Sequence, residues 1–143
     1  MIVTLPDLEP GRTYKRTELA HLVPEDDLLQ ATNCFPTDIE CWPIKDIQLW
    51  RRDGEVLFEY TEMDIRDALI DIQTLWRDFE RRPDHRIRVE KIKRLLETEK
   101  PAWPVFIQKN DPHKRIVEGR HRSVAMMELL VPRLPVLLSK YAD

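Results

Sequence analysis

A short run of charged residues follows an apolar stretch near the end of the chain. After Ile116 and Val117 come, in order, Glu118, Gly119, Arg120, His121, Arg122 and Ser123. The residues that follow predict a helix, and a helix N-terminus presents unpaired N–H groups and about half a positive charge, which suits phosphate. Basic side chains are normally unfavourable there by a few tenths to about 1 kcal/mol, so three in succession indicate a bound anion.

Each polar residue of this run has a candidate role in phosphate chemistry. Arg120 and Arg122 would neutralise phosphate charge, and Ser123 would add a hydroxyl donor. His121 would orient a phosphate or act as an acid or base near neutral pH. Glu118 could hold a magnesium ion or position a water molecule. The alternative interpretation is structural: the glycine serves only a tight strand-to-helix turn, and the arginines are solvated.

The glycine content excludes the common phosphate loops. The chain has only three glycines, Gly11, Gly54 and Gly119, against eleven prolines. Neither GxxxxGK[ST] nor GxGxxG can be built from them. A phosphate site would therefore use a helix N-terminus together with basic side chains.

The elements around the run are predicted to follow the order α-β-β-α-β. A helix from about Val89 to Thr98 places Lys91, Lys93 and Arg94 opposite its apolar face. Strands at 104–109 and 114–118 flank a polar turn. The helix after Gly119 is expected to turn Val124, Met127 and Leu130 inward. The apolar run 134–139 predicts a buried central or parallel strand.

Upstream of these elements the clearest pattern is a helix from Ile65 to Phe79. Thr61 and Asp64 resemble its capping box, and Pro83 is expected to end it. Asp53-Gly54 predicts a hairpin between strands at 44–50 and 55–60. Residues 1–43 are interpreted as an N-terminal extension in which Thr17 and Pro24 start short helices, and His85 and His113 are expected in loops.

The length and the charge distribution limit the possible domain organisation and partners of the protein. A chain of 143 residues predicts one α+β domain spanning 1–143, a small mixed sheet flanked by helices. Residues 1–84 carry a net charge of −9 and residues 85–143 one of +6. The split indicates either an anionic partner for the basic part or attraction within one fold. With two cysteines, no secretory signal and no long apolar run, we expect a cytoplasmic protein without membrane contact.

The segment from about Val89 to Tyr141 resembles the ParB/sulfiredoxin superfamily. The residues that carry the resemblance are Glu118, Gly119, Arg120, His121 and Arg122, with Ala125 on the following helix and the same order of elements. The resemblance implies that residues 85–143 form the nucleotide-site half, binding ATP or CTP with magnesium. It makes Gly119, His121 and Arg122 phosphate contacts, and it adds Lys91 and Thr98 on the preceding helix.

Departures from the superfamily narrow the expected function. Sulfiredoxins place their catalytic cysteine where this chain has Arg120, so sulfinic acid reduction is not expected. Partition-type members continue into DNA-binding and dimerisation domains, for which 143 residues leave no room. Stand-alone plasmid- or phage-type relatives, described as ATPase- or nuclease-like effectors, match best in size.

Two classes of function remain open at this level. The first is a magnesium-dependent nucleotide hydrolase or nuclease-like effector, in which Glu118 and His121 are the catalytic residues. The second is a non-catalytic nucleotide-sensing or inhibitor module that binds another protein through its acidic N-terminal half, or that binds DNA through its basic half. No dedicated metal-ligand set is predicted.

Overall fold

The computed structural model describes residues 7–15, 18–19, 56–98 and 104–141. Its strands are β1 (Thr13–Tyr14), β2 (Val56–Asp64), β3 (Val105–Gln108), β4 (Ile116–Glu118) and β5 (Arg133–Tyr141). Its helices are a 3-10 turn (Ile65–Ala68), α1 (Leu69–Glu80), α2 (Pro83–Glu97) and α3 (Arg120–Glu128). Within these ranges no helix is both long and apolar enough to cross a membrane.

The five strands form one mixed sheet in the order β1-β2-β5-β3-β4. The last strand, β5, lies at the centre, antiparallel to β2 and parallel to β3. The register pairs Val136 with Thr61 on one side and with Val105 on the other. Both the predicted α+β class and the predicted buried central strand are confirmed.

The three helices pack on one face of the sheet, with α3 in contact with both α1 and α2. Residues from both layers form the core: Ala68, Ile72, Phe79, Val89, Ile92, Leu96, Val105, Ile107, Ile116, Val124, Ala125, Met126, Val131, Leu134 and Val136. Burying side chains of this size stabilises the fold by about 1.5–3 kcal/mol each, before the entropy of ordering them is subtracted.

The opposite face of the sheet is also apolar and buried. Register places Tyr60, Leu137 and Phe106 side by side across β2, β5 and β3. All three are at most 6% exposed. Phe58 joins them, with its ring centroid 5.5 Å from that of Phe106. Strand β5 is therefore covered on both faces, which explains why its sequence is apolar without alternation.

The first long helix begins later than its pattern predicts. Thr61 lies in β2 opposite Val136, so the predicted capping box is wrong. Asp64 alone acts as a cap, and its Oδ1 accepts a hydrogen bond from the Arg66 N–H at 2.9 Å. A 3-10 turn follows before the α-helix starts at Leu69. The strand extends to Asp64 because every residue of β2 pairs with a residue of β5. The local sequence around Thr61 does not indicate this pairing.

The second helix begins six residues earlier than predicted, at Pro83. Proline at the first helical position costs no hydrogen bond, because the N–H that it lacks has no partner there. The same residue therefore ends α1 and starts α2. The predicted loop position of His85 is wrong, because His85 lies in the first turns of α2.

One apolar side chain was predicted inward and lies outward. Leu130 is 83% exposed and has φ +61°, just past the end of α3. Val124 is fully buried and Met127 packs against the core, so the rest of that stripe is confirmed. The helix ends in a turn where the Val131 N–H donates to the Met126 carbonyl, and this left-handed turn directs Leu130 into solvent.

The predicted hairpin at 44–60 and the helices starting at Thr17 and Pro24 lie wholly or partly outside the described residues.

Candidate functional site

The strand-to-helix turn at Gly119 has the backbone conformation that favours glycine. Gly119 has φ +84° and precedes the first residue of α3. A Cβ added at Gly119 would lie 2.5 Å from Arg122 Nη2 and 2.8 Å from Arg122 Nε. The glycine is thus required twice, by its left-handed backbone and by the guanidinium that lies against it.

The side chains of the turn point in different directions. Arg120 is exposed, whereas His121 is 4% and Arg122 is 2% exposed. Ser123 is fully buried, and its hydroxyl donates to the Arg120 carbonyl at 2.6 Å. Of the side chains predicted to contact phosphate from this turn, only that of Arg120 projects into solvent.

Glu118 lies on the buried side of the turn. It is 5% exposed, and its Oε1 is 4.0 Å from Arg122 Nη2. The attraction between two opposite charges that are buried together offsets part of the cost of burying them. The structure brings Glu118 and Arg122 together as a buried pair, with the Arg122 guanidinium against Gly119.

A second histidine completes the site, and sequence reasoning had not assigned it a role. His85 Nδ1 of α2 is 2.8 Å from His121 Nε2 of α3. The two rings are within 4° of parallel with centroids 5.1 Å apart, so they lie edge to edge and are joined by a hydrogen bond. The ring of Phe79, from α1, lies parallel to both rings, with centroids 5.0 Å from His85 and 4.5 Å from His121.

The electrostatic environment keeps His121 neutral. Burial is the largest cause that lowers the pKa of His121 to about 3, and a proton on His85 and the charges of Arg88, Arg120 and Arg122 act in the same direction. An imidazole with this pKa has no proton to donate as an imidazolium at neutral pH. Arg120 and Arg122 lie in the first turn of α3, and Arg88 of α2 acts on the pKa of His121 in the same direction.

The two residues predicted on the preceding helix lie farther along α2. Lys91 and Thr98 are both exposed, and the Thr98 hydroxyl donates to the Leu95 carbonyl at 2.9 Å. Thr98 is thirteen residues beyond His85, which corresponds to about 20 Å along the helix axis. The α2 residues that the structure brings near the turn are His85 and Arg88.

The described residues contain no group of three or more His, Cys, Asp or Glu side chains that could hold a metal ion. Magnesium prefers several oxygen ligands in octahedral geometry. Glu118 offers one carboxylate, buried and beside a guanidinium, and therefore does not fit as the anchor of such a site.

Sequence reasoning missed three residues of this site: Phe79, His85 and Arg88. A weak signal was present, because His85 lies four residues before Val89 and so continues the inward stripe of α2 towards its N-terminus. Phe79 ends the helix predicted from Ile65, and only its position over two imidazoles gives it a role in the site.

Comparison of the chain with protein-family models, with curated proteins and with solved structures gives no match.

Proposed function

We propose that the protein binds a nucleoside triphosphate through its phosphates at the N-terminus of α3. The observation that carries the proposal is the presence of Arg120 and Arg122 in the first turn of a helix that begins at a left-handed glycine. Cationic groups and a helix N-terminus act in the same direction on an anion. The resemblance of residues 89–141 to nucleotide-binding proteins of the ParB/sulfiredoxin type supports the same site.

The phosphates would meet Arg120 first, because it is the exposed cation of the turn. Arg122 would act from the buried side of the turn, as a positive charge held against Gly119 and beside Glu118. A buried guanidinium interacts with an anion through a lower effective dielectric than an exposed one, so its charge acts over a longer distance. Backbone N–H groups of the turn would supply the remaining donors.

Binding without catalysis fits the geometry better than hydrolysis does. Glu118 and His121, the two predicted catalytic residues, are both buried at the turn. A neutral His121 with a pKa of about 3 cannot act as a general acid at neutral pH. Glu118 does not fit a magnesium site, so no catalytic step is assigned through a metal. The non-catalytic module is therefore the preferred form of the proposal.

Arg120→Gln is the variant that tests this site. Arg120 is exposed, so its loss leaves the core intact, whereas a change at the buried Arg122 would disturb folding. We expect ATP and CTP to bind in calorimetry, and Arg120→Gln to weaken the affinity about tenfold, the effect of one charge-assisted hydrogen bond. Arg77→Gln, an exposed arginine on α1, is the matched control and is expected to bind as the parent protein does.

The outcomes separate the alternatives. Absence of nucleotide binding at millimolar concentration contradicts the proposal. Binding that is equally weakened by Arg77→Gln indicates a general charge effect and also contradicts the site. Phosphate release above background, lost in Arg120→Gln, would show that the same turn catalyses hydrolysis and would replace the non-catalytic form.

A further inference from the structure

The hydrogen bond between His85 and His121 is a direct polar link between the N-terminal turns of α2 and α3. It joins two half-buried or buried rings whose nitrogens are 2.8 Å apart, beneath the ring of Phe79 from α1. Three helices therefore meet at one pair of titratable groups. A second cross-link between α2 and α3, made by Arg86 and Glu128, lies at the other end of α3. The imidazole pair therefore contributes to the position of the first turn of α3, beside the packing that buries the residues of that turn.

The number of protons on the pair determines whether the bond persists. Two neutral imidazoles hold one hydrogen between the facing nitrogens, one ring donating and the other accepting. One further proton gives the pair a positive charge, and two further protons place a hydrogen on both facing nitrogens and break the bond. Both changes occur beside other cations: Arg88 on α2, and Arg120 and Arg122 on α3. Phe79, the contact from α1, brings no charge, and Glu118 of β4 lies 4.0 Å from Arg122 and offsets part of that one charge.

We propose that His85 is a positioning residue that fixes the first turn of α3 through a neutral imidazole–imidazole hydrogen bond, and that acidification releases this turn. The ring of His85 acts through His121 and touches no ligand in this role. The proposal does not depend on nucleotide binding, because its elements are the two rings and the arginines around them. If the proposal holds, a ligand that binds at the first turn of α3 requires both histidines to be neutral, because only then is the turn held in place.

The test is the pH dependence of unfolding in three single variants of the full chain. The slope of the unfolding free energy with pH reports how many more protons the unfolded chain binds. If both rings are neutral when folded, the parent protein takes up close to two protons on these rings as it unfolds near pH 5.5. His85→Asn, whose amide can replace Nδ1 as a hydrogen-bond partner, is expected to take up one proton fewer. His113→Asn, at an exposed histidine, is expected to keep the parent slope.

A hydrogen-bonding role is separated from simple packing by a second comparison. His85→Phe fills the space but leaves His121 Nε2 without this partner, so we expect its melting temperature at pH 7.5 to fall by about 5 °C or more. His85→Asn is expected to recover at least half of that loss. Imidazole nitrogen chemical shifts of the parent protein are expected to show two neutral rings at pH 7. Backbone amide shifts of the first turn of α3 are expected to lose their helical values at the acidic pH at which the rings take up protons.

Several results would overturn the proposal. A charged His85 at pH 7 in the nitrogen spectra contradicts the neutral bond. An unchanged slope in His85→Asn shows that His85 takes up no proton on unfolding. Equal stability of His85→Phe and His85→Asn at pH 7.5 shows that the hydrogen bond does not position the turn.

Discussion

Gly119 is the residue on which the geometry of the candidate site depends most directly. Its positive φ is shared with Gly11, which has φ +86°. The two glycines differ in their surroundings, because an added Cβ meets nothing within 4 Å at Gly11 and meets the Arg122 guanidinium at Gly119. A comparison of alanine variants at Gly11 and Gly119 therefore separates the cost of backbone strain from the cost of displacing a buried arginine.

We expect Gly11→Ala to lower the free energy of unfolding by about 1–2 kcal/mol, the cost of a left-handed backbone for an L-residue. Gly119→Ala is expected to cost more, by at least a further 1–3 kcal/mol, because Arg122 must leave its position beside Glu118. Urea denaturation of both variants measures the difference. Equal losses would show that Arg122 adjusts without cost and is not fixed by the turn.

At the scale of elements, the contact between α2 and α3 is secured by a half-buried ion-pair network. Arg86 donates to both carboxylate oxygens of Glu128 and to Glu90. Lys93 lies 3.3 Å from Glu128 as well. These contacts lower the pKa of Glu128, with the Arg86 hydrogen bonds as the largest cause, and burial opposes them.

Glu128→Gln is expected to lower the free energy of unfolding by about 2 kcal/mol at pH 7, because it leaves Arg86 partly buried without its bidentate partner. The depressed pKa means that this stabilisation is present above the ordinary glutamate value, near 4.3, and is lost as pH falls through the folded value. The parent protein and the variant should therefore converge in acid denaturation. Asp78→Asn, which breaks the exposed Arg82–Asp78 pair, is the control and should cost under about 0.5 kcal/mol.

The C-terminal end of α3 offers a stabilising substitution. Leu130 occupies the left-handed position of the helix end, where glycine is favoured, and its side chain is 83% exposed. Leu130→Gly is expected to raise the free energy of unfolding by about 0.5–1 kcal/mol, since it removes strain and loses little burial. Thermal unfolding measures the gain. A loss of stability would show that Leu130 makes a packing contribution its exposure does not indicate.

At the scale of the whole molecule, the sheet is closed by the last strand of the chain. Strand β5 pairs with β2 from the middle of the sequence and with β3, and Leu134, Val136 and Leu137 are fully buried. Strands β2 and β3 therefore both depend on β5, which follows them in the sequence. Folding must wait for pairings between residues more than 70 positions apart, such as Thr61 with Val136.

We expect Val136→Ala to lower the free energy of unfolding by about 2–3 kcal/mol, because it leaves a cavity between two strands and the helices. Ile87→Ala, at a residue 55% exposed on α2, should cost under about 1 kcal/mol. Truncation after Pro132 is expected to abolish cooperative unfolding in circular dichroism. A truncated chain that still melts cooperatively would contradict the central role of β5.

The sequence alone determined the elements whose signals are local. Periodicity and residues with special backbone preferences predict three such features: the helix that ends at Phe79, the order α-β-β-α-β after residue 83, and the turn at Gly119. A continuous apolar run predicted that the last strand would be buried on both faces, as β5 is. These features depend on residues within one or two turns of each other.

Only the tertiary structure decided what the candidate site contains. All six residues from His121 to Met126 are buried, because α3 is enclosed by α1, α2 and the sheet, and a single stripe on α3 could not indicate this. The same enclosure brings His85 against His121, thirty-six residues away, and turns Arg122 inward onto Gly119. The pKa of His121 is set by its burial and by contacts with residues distant in sequence. Neither can be predicted from the residues that neighbour His121 in the sequence.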